Sequence, residues 1–347
     1  MESMLQRFIR YAKINTRSDL HSDAVPTTPG QLDFLHMLEG ELKALGLSQV
    51  RFNPVDAFVT ALLPSNLPAN QKAPAIGFIA HVDTADFNAE NIQPQVHADY
   101  DGQDIVLNPD LDIVMRVSEF PNLTHYVGQT LITTDGTTLL GADDKAGLVS
   151  ILEAVIHLLA HPDLPHGDIW LAFGPDEEIG KGAHRFQAQD FPADFAYTLD
   201  SGEVGKLEYE TFNAARVMLT IDGTSVHPGT AKGLMVNALA EAAKLFARLP
   251  QDQVPELTEG HEGYYMLSSQ SGDIGQVQAT YIIRDHDKES FQARKDFFHQ
   301  ILPRLLIRRS PRWTELPRRA AVEWPSSARI RSSRSGRRRR SSSFSSL

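Results

Sequence analysis

Three short apolar runs, each followed by an acidic or histidine side chain, constrain the fold of this sequence more than any other feature. The runs and the side chains that follow them are 75–80 with His81, 168–173 with Glu177 and Glu178, and 195–199 with Asp200. Apolar runs of this length are typical of buried parallel strands. Because ligands in open α/β sheets bind beyond the carboxyl ends of the strands, the sequence predicts a polar site at one edge of one sheet.

A further acidic feature is the glycine-flanked pair Asp143-Asp144, which directly precedes an apolar helical pattern over 146–160. The pair follows residues 131–140, where two strand-like segments around Asp135-Gly136 predict a hairpin with a two-residue turn. One interpretation of the pair is a cation site at the start of the helix. The other is ordinary helix capping, in which aspartate oxygens accept hydrogen bonds from the free N–H groups of the first turn.

The side chains at the strand ends also admit two interpretations each. His81 and Asp83 lie on the same side of an extended segment, so the carboxylate can hold the imidazole of a metal ligand. The alternative is a strand-end histidine beside a surface aspartate. Glu177 and Glu178 are consecutive and point in different directions, so one can bind a metal while the other faces a substrate. The alternative for this pair is a charged turn after a strand.

These groups together are more specific than any one of them. A cleft that collects them is unfavourable without cations, because neighbouring carboxylates raise each other's pKa. The chain contains no cysteine, so nitrogen and oxygen atoms must hold any metal, and such ligands suit zinc, manganese or cobalt. The candidate groups are His81, Asp83, Asp143, Asp144, Glu177, Glu178 and Asp200.

The charge distribution argues against nucleic acid as a partner of the main part of the chain. The net charge is −11, yet residues 304–347 contain thirteen arginines and only two acidic side chains, which leaves the rest strongly acidic. An acidic body suits cation binding. No run of about 18 apolar residues and no signal-like segment occurs, so we expect a cytoplasmic protein without membrane contact.

The periodicity of apolar residues predicts two domains. Helical spacing over 4–12 and 31–45 predicts two helices, and residues 57–63 have the pattern of a strand. After residue 206 the order becomes strand, helix, two strands and helix, which suits an antiparallel sheet with helices on one face. The predicted bounds of these later elements are 207–221, 236–249, 263–268, 277–284 and 290–302.

Six segments, in this order, resemble the peptidase T branch of the two-zinc aminopeptidases related to aminoacylase. The segments are 81–84, 140–147, 175–180, 197–200, 226–233 and 281–285. The resemblance covers the chain from Met1 to about Gln300. It implies an α/β fold in which a zinc-peptidase catalytic domain, with a mixed and mainly parallel sheet flanked by helices, carries an inserted α+β, ferredoxin-like lid and dimerisation domain. The implied bounds are 1–206 for the N-terminal part of the catalytic domain and 207–302 for the lid.

The resemblance also implies two Zn²⁺ ions per subunit and a role for each group of the cluster. The implied metal ligands are His81 and Asp200 for one ion, Glu178 for the other, and Asp143 as the bridge. The implied catalytic groups are Asp83, which would orient His81, and Glu177 as the general base. The peptide bond between Asp143 and Asp144 would be cis.

The implied reaction is metal-dependent hydrolysis that releases the N-terminal residue of a tripeptide, in a homodimer formed through the lid domain. His227 would reach the active site of the other subunit and steady the oxyanion, while Arg284 would hold a substrate carboxylate. The alternatives for these two residues are a turn histidine and a solvated arginine at a strand end. A related metal-dependent deacylase or dipeptidase is the alternative activity.

The chain departs from this resemblance after about residue 300. Residues 303–347 form an Arg- and Ser-rich tail that we expect to be disordered, and no histidine follows His299. Family members continue with segments that supply substrate contacts and the last zinc-ligating histidine. The tail is interpreted either as a basic arm or as a coding region translated in the wrong frame. The second interpretation predicts an impaired peptidase, or an inactive product able only to dimerise.

Overall fold

The computed structural model describes residues 2–200, 204–207, 209–306 and 322–323. The chain divides into two units, Met1–Lys206 and Leu207–Leu347. The tail that was expected to be disordered, residues 303–347, lies outside the described residues except for 303–306 and 322–323.

Four helices and nine strands make up the described part of the first unit. The helices are α1 (Met4–Ala12), α2 (Pro29–Ala44), α3 (Ala142–Ala160) and α4 (Gly182–Arg185). The strands are β1 (Ser48–Phe52), β2 (Val59–Leu63), β3 (Ile76–His81), β4 (Gln95–His97), β5 (Ile105–Asn108), β6 (Ile113–Met115), β7 (Leu131–Thr133), β8 (Ile169–Gly174) and β9 (Phe195–Thr198).

A five-stranded mixed sheet with the order β1-β2-β8-β3-β9 forms the framework of this unit. The central strand β3 pairs in parallel with β8 and with β9. The pairs β1 with β2 and β2 with β8 are antiparallel. The parallel part therefore contains the three strands whose ends carry the predicted site, so their carboxyl ends point to the same edge.

The three long helices pack on one face of the sheet through apolar side chains at helical spacing. Leu35, Leu38 and Leu42 of α2 are fully buried, as are Leu148 and Leu152 of α3. Side chains of β2, β3 and β8 complete the same core, and a smaller cluster around Trp170 and Phe191 covers the opposite face. Burial on both faces explains why these strands are continuous apolar runs in the sequence.

The predicted hairpin over residues 131–140 is wrong in its second strand. β7 pairs antiparallel with β4 instead, and residues 137–140 form no strand. Side chains form hydrogen bonds with the backbone of the turn: the Thr134 hydroxyl donates to the Thr138 carbonyl, and the Asp135 carboxylate accepts from the Thr137 N–H. These local bonds compete with a strand ladder.

The strand β9 differs from the prediction of a buried strand. Phe195 and Tyr197 are 44% and 40% exposed. Among the described residues β9 pairs only with β3 and therefore lies at the edge of the sheet. The apolar run correctly predicts a strand here, but edge and centre positions cannot be distinguished from such a run alone.

The second unit is an α+β unit, as the sequence predicts. Its described elements are β10 (Asn213–Asp222), α5 (Ala238–Phe246), β11 (Tyr264–Gly272), β12 (Gln276–Asp285), α6 (Lys288–Leu306) and β13 (Val322–Glu323). The sheet is antiparallel in the order β11-β12-β10-β13. Apolar residues from both helices and from three of the strands form one core. No helix among the described residues of the chain is long and apolar enough to span a membrane.

Candidate metal centre

The ends of three neighbouring strands and the start of one helix bring the predicted ligands of the first unit together. His81 ends β3 and pairs with Gly174 at the end of β8, so the glutamate loop that follows β8 begins beside the histidine. Asp200 follows β9 on the other side of β3. Asp143 and Asp144 lie in the first turn of α3.

Gly147 explains how closely α3 approaches the end of β9. A Cβ atom at this position would lie 1.8 Å from the Leu199 carbonyl oxygen and 2.2 Å from Asp144 Oδ1. Only a residue without a side chain fits between these groups. The glycine in the sequence segment 140–147 therefore has a structural reason: it allows the acidic helix start and Asp200 to share one site.

His81 lies at the centre of the cluster. Its Nε2 atom is 2.9 Å from Asp143 Oδ1 and 3.3 Å from Asp200 Oδ1, while its Nδ1 atom is 2.9 Å from the Asp83 carbonyl oxygen. The side chain is only 6% exposed. Burial lowers the pKa of the imidazole, but hydrogen bonds to Asp143, Asp200 and Asp83 outweigh burial and raise this pKa well above its usual range.

Asp83 connects the histidine to the glutamate loop. Its buried carboxylate lies 3.3 Å from His81 Nδ1 and accepts hydrogen bonds from the N–H groups of Glu177 and Glu178, at 2.9 and 3.2 Å. The predicted contact with His81 is present in this geometry. The two bonds to the loop were not predicted, and they hold the consecutive glutamates against the end of β3.

The acidic side chains of the cluster differ in protonation behaviour. Burial raises the pKa of Asp144 to about 8 and, with the charge of Asp143, raises the pKa of Glu178 to about 7. Burial also raises the pKa of Glu177. The hydrogen bond from His81 lowers the pKa of Asp143. Several carboxylates lie close together around one imidazole, and a bound divalent cation would offset the repulsion between their negative charges.

Among the residues that the structure describes, two sets of three could hold a metal ion, and both contain His81. One set adds Asp144 and Asp200, the other adds Asp143 and Glu178, and the ligand atoms within each set lie within 4.8 Å of one another. The donor atoms are imidazole nitrogen and carboxylate oxygen, which fit zinc, manganese or cobalt. Asp144 was a candidate group in the sequence but was not among the ligands that the resemblance implies, and its carboxylate accepts from the backbone N–H of His81 at 3.2 Å. The Asp143–Asp144 peptide bond is cis.

Two buried charged residues beside the site were missed in the sequence. Lys145 is fully buried and donates to the Ile14 carbonyl at 2.7 Å, and burial lowers the pKa of its amine to about 7. Asp176 is fully buried immediately before the glutamate pair. Lysine and aspartate are usually exposed to solvent. No local sequence signal indicates that these two residues are buried, so they were not predicted.

The second unit contains the other two predicted site residues. His227 precedes a short turn, and its Nδ1 atom accepts from the Gly229 N–H at 3.1 Å. Arg284 lies near the end of β12, with its guanidinium 3.9 Å from the centre of the Phe212 ring and 5.5 Å from that of Tyr264. The roles expected for His227 and Arg284 stay predictions.

The fold resembles that of peptidases of known structure. A tripeptidase from Staphylococcus aureus superposes with a TM-score of 0.65 at 22% identity, over 93% of this chain and 74% of that chain. The aminopeptidase PepT from Bacillus cereus superposes with a TM-score of 0.62 at 23% identity over the same shares. At these identities the likeness concerns the fold. Residues 209–309 match the peptidase dimerisation domain family.

Sequence comparison narrows the class further. Peptidase T of Fusobacterium nucleatum is 54% identical over 303 residues, which cover 87% of this chain and 73% of that protein. Peptidase T of Bacillus subtilis is 51% identical over 296 residues, which cover 85% and 72%. The chain belongs to the peptidase T family, and its members are peptide hydrolases.

Proposed function

We propose that this chain is a metal-dependent aminopeptidase that releases the N-terminal residue of tripeptides. The observation that carries the proposal is the convergence of His81 with Asp143, Glu178 and Asp200 at the carboxyl edge of the parallel strands. The names of similar proteins, peptidase T and tripeptidase, supply the substrate class. Two zinc ions are the proposed metals, because the family resemblance implies them and the nitrogen and oxygen donors are compatible with zinc.

The residues of the cluster divide the chemistry between them. Bound metal would act as a Lewis acid toward the scissile carbonyl and lower the pKa of a water molecule. Asp83 holds the Nδ1 side of His81, so that Nε2 faces the carboxylates of Asp143 and Asp200, where the cation would bind. Glu177 accepts the proton of the attacking water as the new C–O bond forms, and delivers it to the amine as the C–N bond breaks. The raised pKa of Glu177 suits both proton transfers.

The second unit supports a homodimer as the working form. Its match to the peptidase dimerisation domain family motivates this part of the proposal. Arg284 would hold the substrate carboxylate, and the Phe212 ring beneath its guanidinium group stabilises the charge. His227 would stabilise the oxyanion in the site of the partner subunit. Sedimentation of the full chain tests the dimer, and a strictly monomeric protein would contradict it.

Substitution of the general base tests the proposed reaction. We expect Glu177→Gln to lower tripeptide hydrolysis by about 10²- to 10⁴-fold while metal content is retained, because the variant loses proton transfer but no proposed ligand. The exposed Glu119→Gln serves as a matched control and should leave hydrolysis unchanged. Hydrolysis of Glu177→Gln within tenfold of the parent chain would contradict the mechanism, and a preference for N-acyl amino acids would favour the deacylase alternative.

The expected impairment of the second zinc site is a separate prediction. Metal analysis of the purified chain measures it directly. One tightly bound ion with weak hydrolysis would support the impairment, because the second ion would lack its histidine ligand. Two tightly bound ions with efficient tripeptide hydrolysis would overturn it.

A further inference from the structure

A segment of the N-terminal region contacts three of the loops that carry the proposed metal ligands. We call residues 14–31 the N-terminal brace; it joins α1 to the first turn of α2. It touches the loops after β3 and β8 and the start of α3. The hydrogen bonds are Thr84 N–H to the Thr16 carbonyl at 3.2 Å, Lys145 Nζ to the Ile14 carbonyl at 2.7 Å, and Lys181 Nζ to the Ser22 carbonyl at 2.8 Å.

The most connected contact of the N-terminal brace is with Asp176. This carboxylate is fully buried and accepts hydrogen bonds from Thr27, Gln31 and Arg185. The distances are 2.5 Å from the Thr27 hydroxyl, 3.1 Å from the Thr27 N–H, 3.0 Å from Gln31 Nε2 and 2.7 Å from Arg185 Nη1. In return the Asp176 N–H donates to Gln31 Oε1 at 3.1 Å. Both ends of the Gln31 amide are therefore used by one residue.

The backbone of Asp176 requires such support. Its φ angle is +61°, in the left-handed region that residues with a side chain adopt at a cost. The Asp176 carbonyl accepts from the N–H groups of Lys181 and Gly182, which closes the loop around the glutamates. The next two N–H groups along the chain, those of Glu177 and Glu178, donate to Asp83. The conformation of Asp176 thus sets the direction in which both glutamates leave β8.

We propose that Thr27 and Gln31 are positioning residues of the metal centre, which act through Asp176 on Glu177 and Glu178. The inference rests on the proposed function, because it assigns a purpose to the orientation of the two glutamates. Within the part of the chain that the structure describes, none of the hydrogen bonds of Thr27 and Gln31 reaches a proposed ligand. They hold the buried side chain of Asp176, which directly precedes the proposed base Glu177 and the proposed ligand Glu178 in the sequence.

The experiment compares Thr27→Val with Thr27→Ser in the full chain. Valine keeps the shape of threonine and removes the hydroxyl, whereas serine keeps the hydroxyl. We expect Thr27→Val to speed amide hydrogen exchange of Glu177 and Glu178 at least tenfold in the metal-free protein. We also expect the affinity for Co²⁺, the metal used as a probe and measured by absorption spectroscopy, to fall about 10- to 100-fold. Thr27→Ser should keep both the exchange rates and the Co²⁺ affinity of the parent chain. Gln31→Met is a second variant with the same expected direction.

Thr133→Val is the matched control for a lost buried hydroxyl. Thr133 is 8% exposed, and its hydroxyl is 2.9 Å from His97 Nε2 in the pair of β7 with β4. This variant should leave both readouts unchanged, even where it lowers the melting temperature. Exchange rates and Co²⁺ affinity within twofold of the parent in both Thr27→Val and Gln31→Met would overturn the inference. A parent chain that binds no Co²⁺ would contradict the proposed function instead, and the exchange rates would still decide whether Thr27 and Gln31 hold the loop.

Discussion

At the scale of single residues, Asp83 joins two parts of the site that the sequence separates by more than ninety residues. One carboxylate lies beside His81 Nδ1 and also accepts the N–H groups of Glu177 and Glu178. Hydrogen bonds from several donors fix the orientation of this carboxylate. Asp83 therefore fixes the positions of both the His81 imidazole and the loop that carries Glu177 and Glu178.

Substitution of Asp83 should affect metal binding and stability together. We expect Asp83→Asn to weaken Co²⁺ binding about 10- to 100-fold, because an amide holds the imidazole and the loop less strongly. The free energy of unfolding should fall by about 1–3 kcal/mol in urea, since buried donors lose a charged acceptor. Asp86→Asn is the control, because Asp86 is exposed and pairs only with Arg17 among the described contacts. Parent-like Co²⁺ affinity in Asp83→Asn would contradict this account.

At the scale of elements, β9 is the least protected strand of the first sheet. It exposes Phe195 and Tyr197, and one of its edges has no strand partner among the described residues. Exposed apolar edge strands are templates for pairing with other chains. The strand that leads to the proposed ligand Asp200 is therefore also the strand most exposed to pairing with other chains.

A charge on β9 should reduce that liability. We expect Tyr197→Lys to slow aggregation on mild heating, measured by light scattering, because a lysine on an edge strand opposes pairing between chains. Tyr126→Lys provides the comparison, since Tyr126 is 37% exposed in a short 3₁₀ helix away from the sheet edge. Equal aggregation rates for the two variants would show that the edge is not responsible.

The start of α6 offers a pH-dependent test in the second unit. Asp287 accepts from the Ser290 N–H at 2.7 Å, and this bond lowers the pKa of its carboxyl. A lowered pKa in the folded state contributes stability above the unfolded pKa, and this contribution is lost as pH falls through the folded pKa. Asp287→Ala should therefore lower the melting temperature at pH 7 and lower it less at pH 3.

The matched variant Asp287→Asn keeps a side-chain acceptor without a charge. It should lose less stability than Asp287→Ala at pH 7, because asparagine also caps helices well. A melting-temperature difference between parent and Asp287→Ala that does not change with pH would contradict the electrostatic part of this explanation.

At the scale of the whole molecule, the two units have separate cores and separate duties. All proposed metal ligands belong to Met1–Lys206, whereas the dimerisation-domain match lies within Leu207–Leu347. Each unit has its own hydrophobic cluster. Ligand binding stabilises the part of a protein that forms the site.

Removal of metal should consequently destabilise one unit only. We expect a chelator to lower the first unit's unfolding temperature in calorimetry, while hydrogen exchange in β10 and β12 of the second unit stays unchanged. Added Zn²⁺ should reverse the shift. An equal loss of protection in both units would show that they unfold as one cooperative body, contrary to the prediction.

Local sequence patterns predicted much of the fold because their causes are local. Apolar runs predicted β3, β8 and β9, and the change of pattern after residue 206 predicted the α+β unit. The hairpin failed because Thr134 and Asp135 satisfy the turn with side-chain bonds, and because β4 pairs with β7. An apolar run does not indicate whether its strand lies at the edge or in the centre of a sheet, so the exposure of β9 was not predictable from the sequence.

Residue type and apolar periodicity are properties of short segments, and for this reason the sequence predicted most of the candidate ligands and the strands β3, β8 and β9. The tertiary structure alone decided what holds the site. Thr27 and Asp176 are 149 residues apart in the chain and share a 2.5 Å hydrogen bond. Lys145 is buried against Ile14, 131 residues away. Such contacts depend on how elements pack, and no spacing within a segment encodes them.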